Sequence, residues 1–123
     1  MSYVNPTTTT HTIKAGSLTS AATLLSVMGP LGHTGVLRSI GAVNTAGVTV
    51  AASSVTVGIT GTTAKYGTLA VPISAINLGK NNATLTAADA NLIAADSIVL
   101  ISSGGGATAG AADITVVIDW FKG

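Results

Sequence analysis

Two histidines, four aspartates and one run of three glycines are the places where this sequence offers recognisable chemistry. A hydrolase or transferase needs a nucleophile, a base and a group that orients the base. His11 lies in a threonine-rich stretch and His33 in the glycine-flanked turn Leu31–Gly35, and neither has a carboxylate close in sequence. Nothing visible tunes or orients either imidazole, so no catalytic residue is expected and the chain reads as a non-enzyme. An oxygen-ligand cation loop clusters carboxylates at short alternating spacing. Asp89 and Asp96 stand apart and alone, and Asp96 sits in the turn Ala94–Ser97, where a carboxylate bonds backbone N–H groups two residues on. The run Gly104–Gly106 lacks the lysine and the following helix of a phosphate loop, so it reads as a hairpin loop. No metal and no cofactor are expected.

The absence of cysteine removes disulfides, thiolate chemistry and cysteine-based metal sites together. Charged residues make up 7% of the chain, against roughly a quarter in a typical soluble domain, and glutamate is missing. Alanine, threonine, glycine and serine supply more than half of the residues. The surface must therefore be built of small methyl and hydroxyl groups, which suits either a chain kept soluble by its threonines and serines or, the reading favoured here, a protein covered by other subunits. The net charge of +1 is scattered with no basic run, which argues against nucleic acid as a partner. No segment reaches the roughly 20 uninterrupted apolar residues of a spanning helix. Four aromatic residues, Tyr3, Tyr66, Trp120 and Phe121, are too few for the girdles of a membrane barrel, so no membrane is expected. Met1–Thr10 carries neither a basic nor an apolar leader region, which predicts synthesis and folding in a cytoplasm.

These residues need a scaffold, and the pattern predicts one. Short β-rich runs separated by turn residues are expected at Thr10–Ala15, Ala21–Met28, Gly35–Val43, Ser54–Thr60, Thr68–Ile76, Ile98–Ser102 and Asp113–Phe121. In the last, Ile114, Val116, Ile118 and Trp120 share one face and Thr115, Val117, Asp119 and Phe121 the other, the period of two of a half-buried strand. Turns are expected at Gly29–Gly32, Asn44–Gly47, Gly61–Thr63 and Gly79–Asn82. One short helix is predicted over Thr86–Ala94, with Thr86 as its cap and Asp89 three positions on. Pro6 and the run Thr7–Thr10 offer no core face, so residues 1–12 read as an extended amino-terminal arm and residues 13–123 as a single all-β antiparallel sandwich. Of Trp120 and Phe121, adjacent on one strand, one must be core and the other is expected to meet a partner.

The order of Ile13–Ala15, Val36–Ile40, Val55–Ile59, the turn Ala94–Ile98, the glycine loop and the closing Asp113–Asp119 resembles the small head decoration, or cement, proteins of tailed bacteriophages. That resemblance implies a jelly-roll-like β-sandwich that assembles as a homotrimer, binds the major capsid protein and stabilises the outer surface of the head, with no catalytic residues. The place it implies is the virion, reached after synthesis in the host cytoplasm. Candidate subunit or capsid contacts are Tyr3, Val4, Pro6, Arg38, Tyr66 and Phe121. A phage tail, fibre or spike subunit, or a carbohydrate- or receptor-binding sandwich module, would use a similar strand pattern. The solution mass separates the two classes, since a trimer favours decoration and a monomer favours a binding module.

Overall fold

The protein is seen in a computed structural model, which describes residues 7–73, 79–80, 84–85 and 92–122. Among the described residues ten strands run in chain order: β1 (Thr7–Ser17), β2 (Ala21–Val27), β3 (His33–Thr49), β4 (Ser53–Ile59), β5 (Thr62–Val71), β6 (Gly79–Lys80), β7 (Thr84–Leu85), β8 (Leu92–Ile93), β9 (Val99–Gly104) and β10 (Ala109–Lys122). They form two antiparallel sheets. The first has the order β1-β10-β3-β6, with β8 also on β3, and the second the order β2-β9-β4-β5-β7. The chain is thus a β-sandwich, as the turn spacing predicts, and most successive strands cross from one sheet to the other, a jelly-roll-like connectivity.

The closing strand fixes the core. Ile114, Val116, Ile118 and Trp120 are buried on the inward face of β10, and the intervening residues are half-buried on the outward face. Val55, Val57, Val99 and Ile101 of the second sheet are fully buried opposite them. β-Branched residues dominate because they fill a pleated layer with little rotamer loss. The only tryptophan lies on two glycines. A Cβ at Gly35, its cross-strand neighbour on β3, would stand 2.7 Å from the indole Cζ3, and a Cβ at Gly29 would collide with the same ring. Both positions must stay bare for the ring to fit.

Several expectations are corrected. The sandwich includes Thr7–Thr12 of the expected arm, which pair with β10 of their own chain, from Thr7 opposite Trp120 to Thr12 opposite Thr115. The threonine run does have an inward face. Thr9, His11 and Ile13 point towards the core, and Thr9 Oγ1 takes the N–H of Trp120 at 2.8 Å. Residues 1–6 lie outside the described part. So do residues 86–91 of the expected helix, while Leu92–Ile93 are strand, with Ile93 fully buried beside Gly35. Asn44–Gly47 is no turn. β3 continues through it with register breaks, and Asn44 is buried. β5 starts earlier than expected and ends before Pro72, which cannot donate to a ladder. Gly104–Gly106 links β9 to β10 across the two sheets, so it is a crossover and not a hairpin loop; Gly105 and Gly106 have φ of 70° and 97°.

Candidate functional site

The outward face of the first sheet is built of rows in register. Thr8, Asp119, Val36 and Leu92 form one row across β1, β10, β3 and β8, and Thr10, Val117 and Ser39 form the next. Thr12, Thr115 and Gly41 follow, then Asp113 and Val43, while Phe121 and Thr34 close the opposite end. Val43 and Leu92 are 47% and 50% exposed, and Val36, Val117 and Phe121 are half-buried. The face is thus a level surface of threonine hydroxyls and aliphatic groups.

Its charges are neutralised in place. Arg38 Nε donates to Asp119 Oδ2 at 2.6 Å and Thr8 Oγ1 donates to Asp119 Oδ1 at 2.6 Å. The Thr8 hydroxyl first, and then the Arg38 guanidinium, hold the Asp119 carboxyl below its ordinary range. Lys14 Nζ lies 3.6 Å from Asp113, whose other oxygen accepts the Ala15 N–H at 2.8 Å. That N–H is diverted because Ala15, at φ 48°, sits in the register break between Ile13 and Gly16.

The histidines do different work. His11 Nε2 is 2.9 Å from Thr9 Oγ1, which also takes the Trp120 N–H, and burial lowers the pKa of the imidazole. His33 Nδ1 bonds the Leu31 carbonyl at 3.0 Å within its turn. Asp96, at φ 60°, accepts the N–H of Gly32 at 3.0 Å, so it ties two loops together instead of bonding residues just ahead of it. The turn itself is present, with Ser97 N donating to Ala94 O at 3.3 Å. Among the described residues no three histidine, cysteine, aspartate or glutamate side chains converge.

Of the expected contacts, Arg38 and Phe121 share the outward face of the first sheet. Tyr3, Val4 and Pro6 lie outside the described residues. Tyr66 is corrected: it is 2% exposed, inside the core, and its phenol is pushed up by burial while hydrogen bonding to Ser97 pulls the other way. The cause is the long register break on β5, where Ile59 pairs with Thr62 but Val57 with Gly67, so the residues between leave the regular ladder.

The second sheet carries a feature that residue-level reading missed. On its outward face Thr23, Ser102 and Thr56 stand in one row across β2, β9 and β4, at the floor of a cleft of about 330 Å³. Thr63 overhangs it, and Ala21 and Ala22 form part of the rim. Thirty serines and threonines scattered along the chain hide such a row, and only the pairing register reveals it. No family model, curated protein or solved structure matches the chain.

Proposed function

We propose that this chain is a virion structural protein, a decoration or cement subunit that binds the outer surface of a phage head as a homotrimer. One observation carries the reading: the outward face of the first sheet joins exposed aliphatic side chains to charges that are already paired. Exposed Val43 and Leu92, with half-buried Val36 and Val117, give it apolar contact area, and its two ion pairs, Arg38–Asp119 and Lys14–Asp113, leave little free charge to oppose a neighbour. Exposed apolar area of this kind marks contact surfaces. The jelly-roll-like strand order agrees with the fold that the resemblance implies. The partners are then further copies of the chain and the major capsid protein, in the virion after synthesis in the host cytoplasm.

The test is solution mass by light scattering at low and high ionic strength. A trimer that persists in salt is expected, because contacts between uncharged groups are little screened. Val117→Asp, at the centre of the face, should yield monomers with nearly unchanged melting. A wild-type protein that is monomeric throughout overturns the proposal and favours a binding module.

A further inference from the structure

The geometry points to a second function on the opposite side of the sandwich: the hydroxyl-floored cleft of the second sheet binds a neutral saccharide ring. The decisive residue is Ser102. It is 4% exposed, and its Oγ is the only buried side-chain polar atom without a hydrogen-bond partner among the described residues. Buried hydroxyls are nearly always partnered, so an orphan at the floor of a cleft marks a place where a group from outside completes the bonding. Alternation along β9 sets its direction. Ile101 is buried in the core, so Ser102 faces outward, between Thr23 and Thr56.

The cleft is built rather than incidental. Its overhang exists because Gly58 has no side chain: the hairpin backbone lies on that residue, with Thr63 O only 2.5 Å from where a Cβ would stand. The start of β5 therefore folds over the sheet and brings Thr63 to the cleft.

The lining selects the ligand class. Among the described residues no charged side chain lines the cleft, so phosphates, carboxylates and ammonium groups would enter without a counter-charge. The polar side chains among the described residues that line it are all hydroxyls, each a donor and an acceptor, which matches a ligand rich in hydroxyls. The methyl groups of Ala21, Ala22 and the threonines offer apolar contact to the C–H bonds of a sugar ring. At about 330 Å³ the cleft lies near the lower end of the range for small-molecule sites, about 300–1,000 Å³, which fits one ring better than a long chain. The site is on the sheet opposite the proposed assembly face, so both can be occupied together.

The experiment is a protein-observed NMR titration of the full chain with glucose, galactose, mannose and N-acetylglucosamine in turn. At least one sugar should shift the amides of Thr23, Thr56, Thr63 and Ser102 with millimolar affinity. Ser102→Ala should weaken that sugar about ten-fold, one well-placed hydrogen bond, while the free variant melts at or above the wild-type temperature because an unpaired hydroxyl has gone. Gly58→Ala, which displaces the overhang, should weaken it too. Four results each overturn the proposal: no sugar moves these amides, the shifts fall elsewhere, Ser102→Ala binds as tightly as wild type, or it melts lower because its hydroxyl was already satisfied by water.

Discussion

Replacing Trp120 tests how the core is assembled. Its indole is 2% exposed, rests on the bare backbone of Gly35 and Gly29, and gives its N–H to Thr9 Oγ1. A buried aromatic of this size removes about 150–250 Å² from water. At roughly 25 cal/mol per Å² that is about 4–6 kcal/mol, and measured truncations of buried Phe or Trp to Ala lie at about 3–5 kcal/mol. The hydrogen bond adds little, since Thr9 is on an edge strand and can reach water instead. Trp120→Ala should thus cost about 4 kcal/mol, a large part of a total stability of roughly 5–15 kcal/mol. The melting temperature should fall by roughly 10–20 °C. Circular dichroism in urea and on heating reads both, and does not depend on the lost fluorophore.

The partner substitution makes the reasoning stricter. Gly35→Ala adds one methyl where the ring lies and should cost about 1–3 kcal/mol by overpacking. In the Trp120→Ala background the same methyl enters vacated space, so its cost should shrink or reverse. A double-mutant cycle should show a coupling of about 0.5–3 kcal/mol. Trp120→Ala within about 1 kcal/mol of wild type, or additive effects in the cycle, would refute the glycine socket.

Stability should fall on acidification through two groups. Both His11 and Asp119 have folded pKa values below their ordinary ones, so the unfolded chain binds more protons and stability rises with pH. The His11 contribution is lost as pH drops below its ordinary value of 6.5 and through the lowered folded value, and the Asp119 contribution below 3.8. Melting curves across that range should decline in two stages, with the first absent in His11→Gln; a melting temperature that rises on acidification contradicts the assignment. A third expectation concerns Val50, exposed at 76% with φ 72° in a tight turn where Ala51 N donates to Thr49 O at 2.9 Å. A β-branched residue there is strained, so Val50→Gly should stabilise the protein by about 0.5–1 kcal/mol, and a lower melting temperature would show that the turn carries no strain.

The strands were legible where a local rule decides them. On β10 the alternation of Ile114, Val116, Ile118 and Trp120 with Thr115, Val117, Asp119 and Phe121 is enough, because one face is core and the other is not. The errors share one physical origin, which is long-range pairing. Asn44 and Gly47 carry turn chemistry, yet β10 offers a continuous ladder along β3 and the misfit is absorbed as bulges. Thr7–Thr10 have no apolar pattern, yet a free strand edge on β10 satisfies their backbone. Tyr66 is drawn inward by a register break that involves residues on two strands, and no window around position 66 contains that information. The sugar cleft is hidden for the same reason, since Thr23, Thr56 and Ser102 become neighbours only through the order β2-β9-β4.

The scarcity of charge has a structural consequence for association. Open sheet edges invite indiscriminate pairing, and lysines or inward charges are the common protection. This chain can spend few charges on that task. β1 and β2, each at one edge of its sheet, carry a register break instead, at Ile13/Gly16 and at Thr23/Leu25. At the first, Ala15 turns to a positive φ and gives its N–H to Asp113, so the edge no longer presents an even row of donors and acceptors. Bulges therefore do the work that charges do elsewhere. With these two edges irregular and the ions of the first sheet paired, the outward face of that sheet offers the level contact area on which the proposed assembly rests. In the proposed assembly, the fit of Val36, Val117 and Phe121 against a neighbour, rather than steering by long-range fields, would then decide which partner binds.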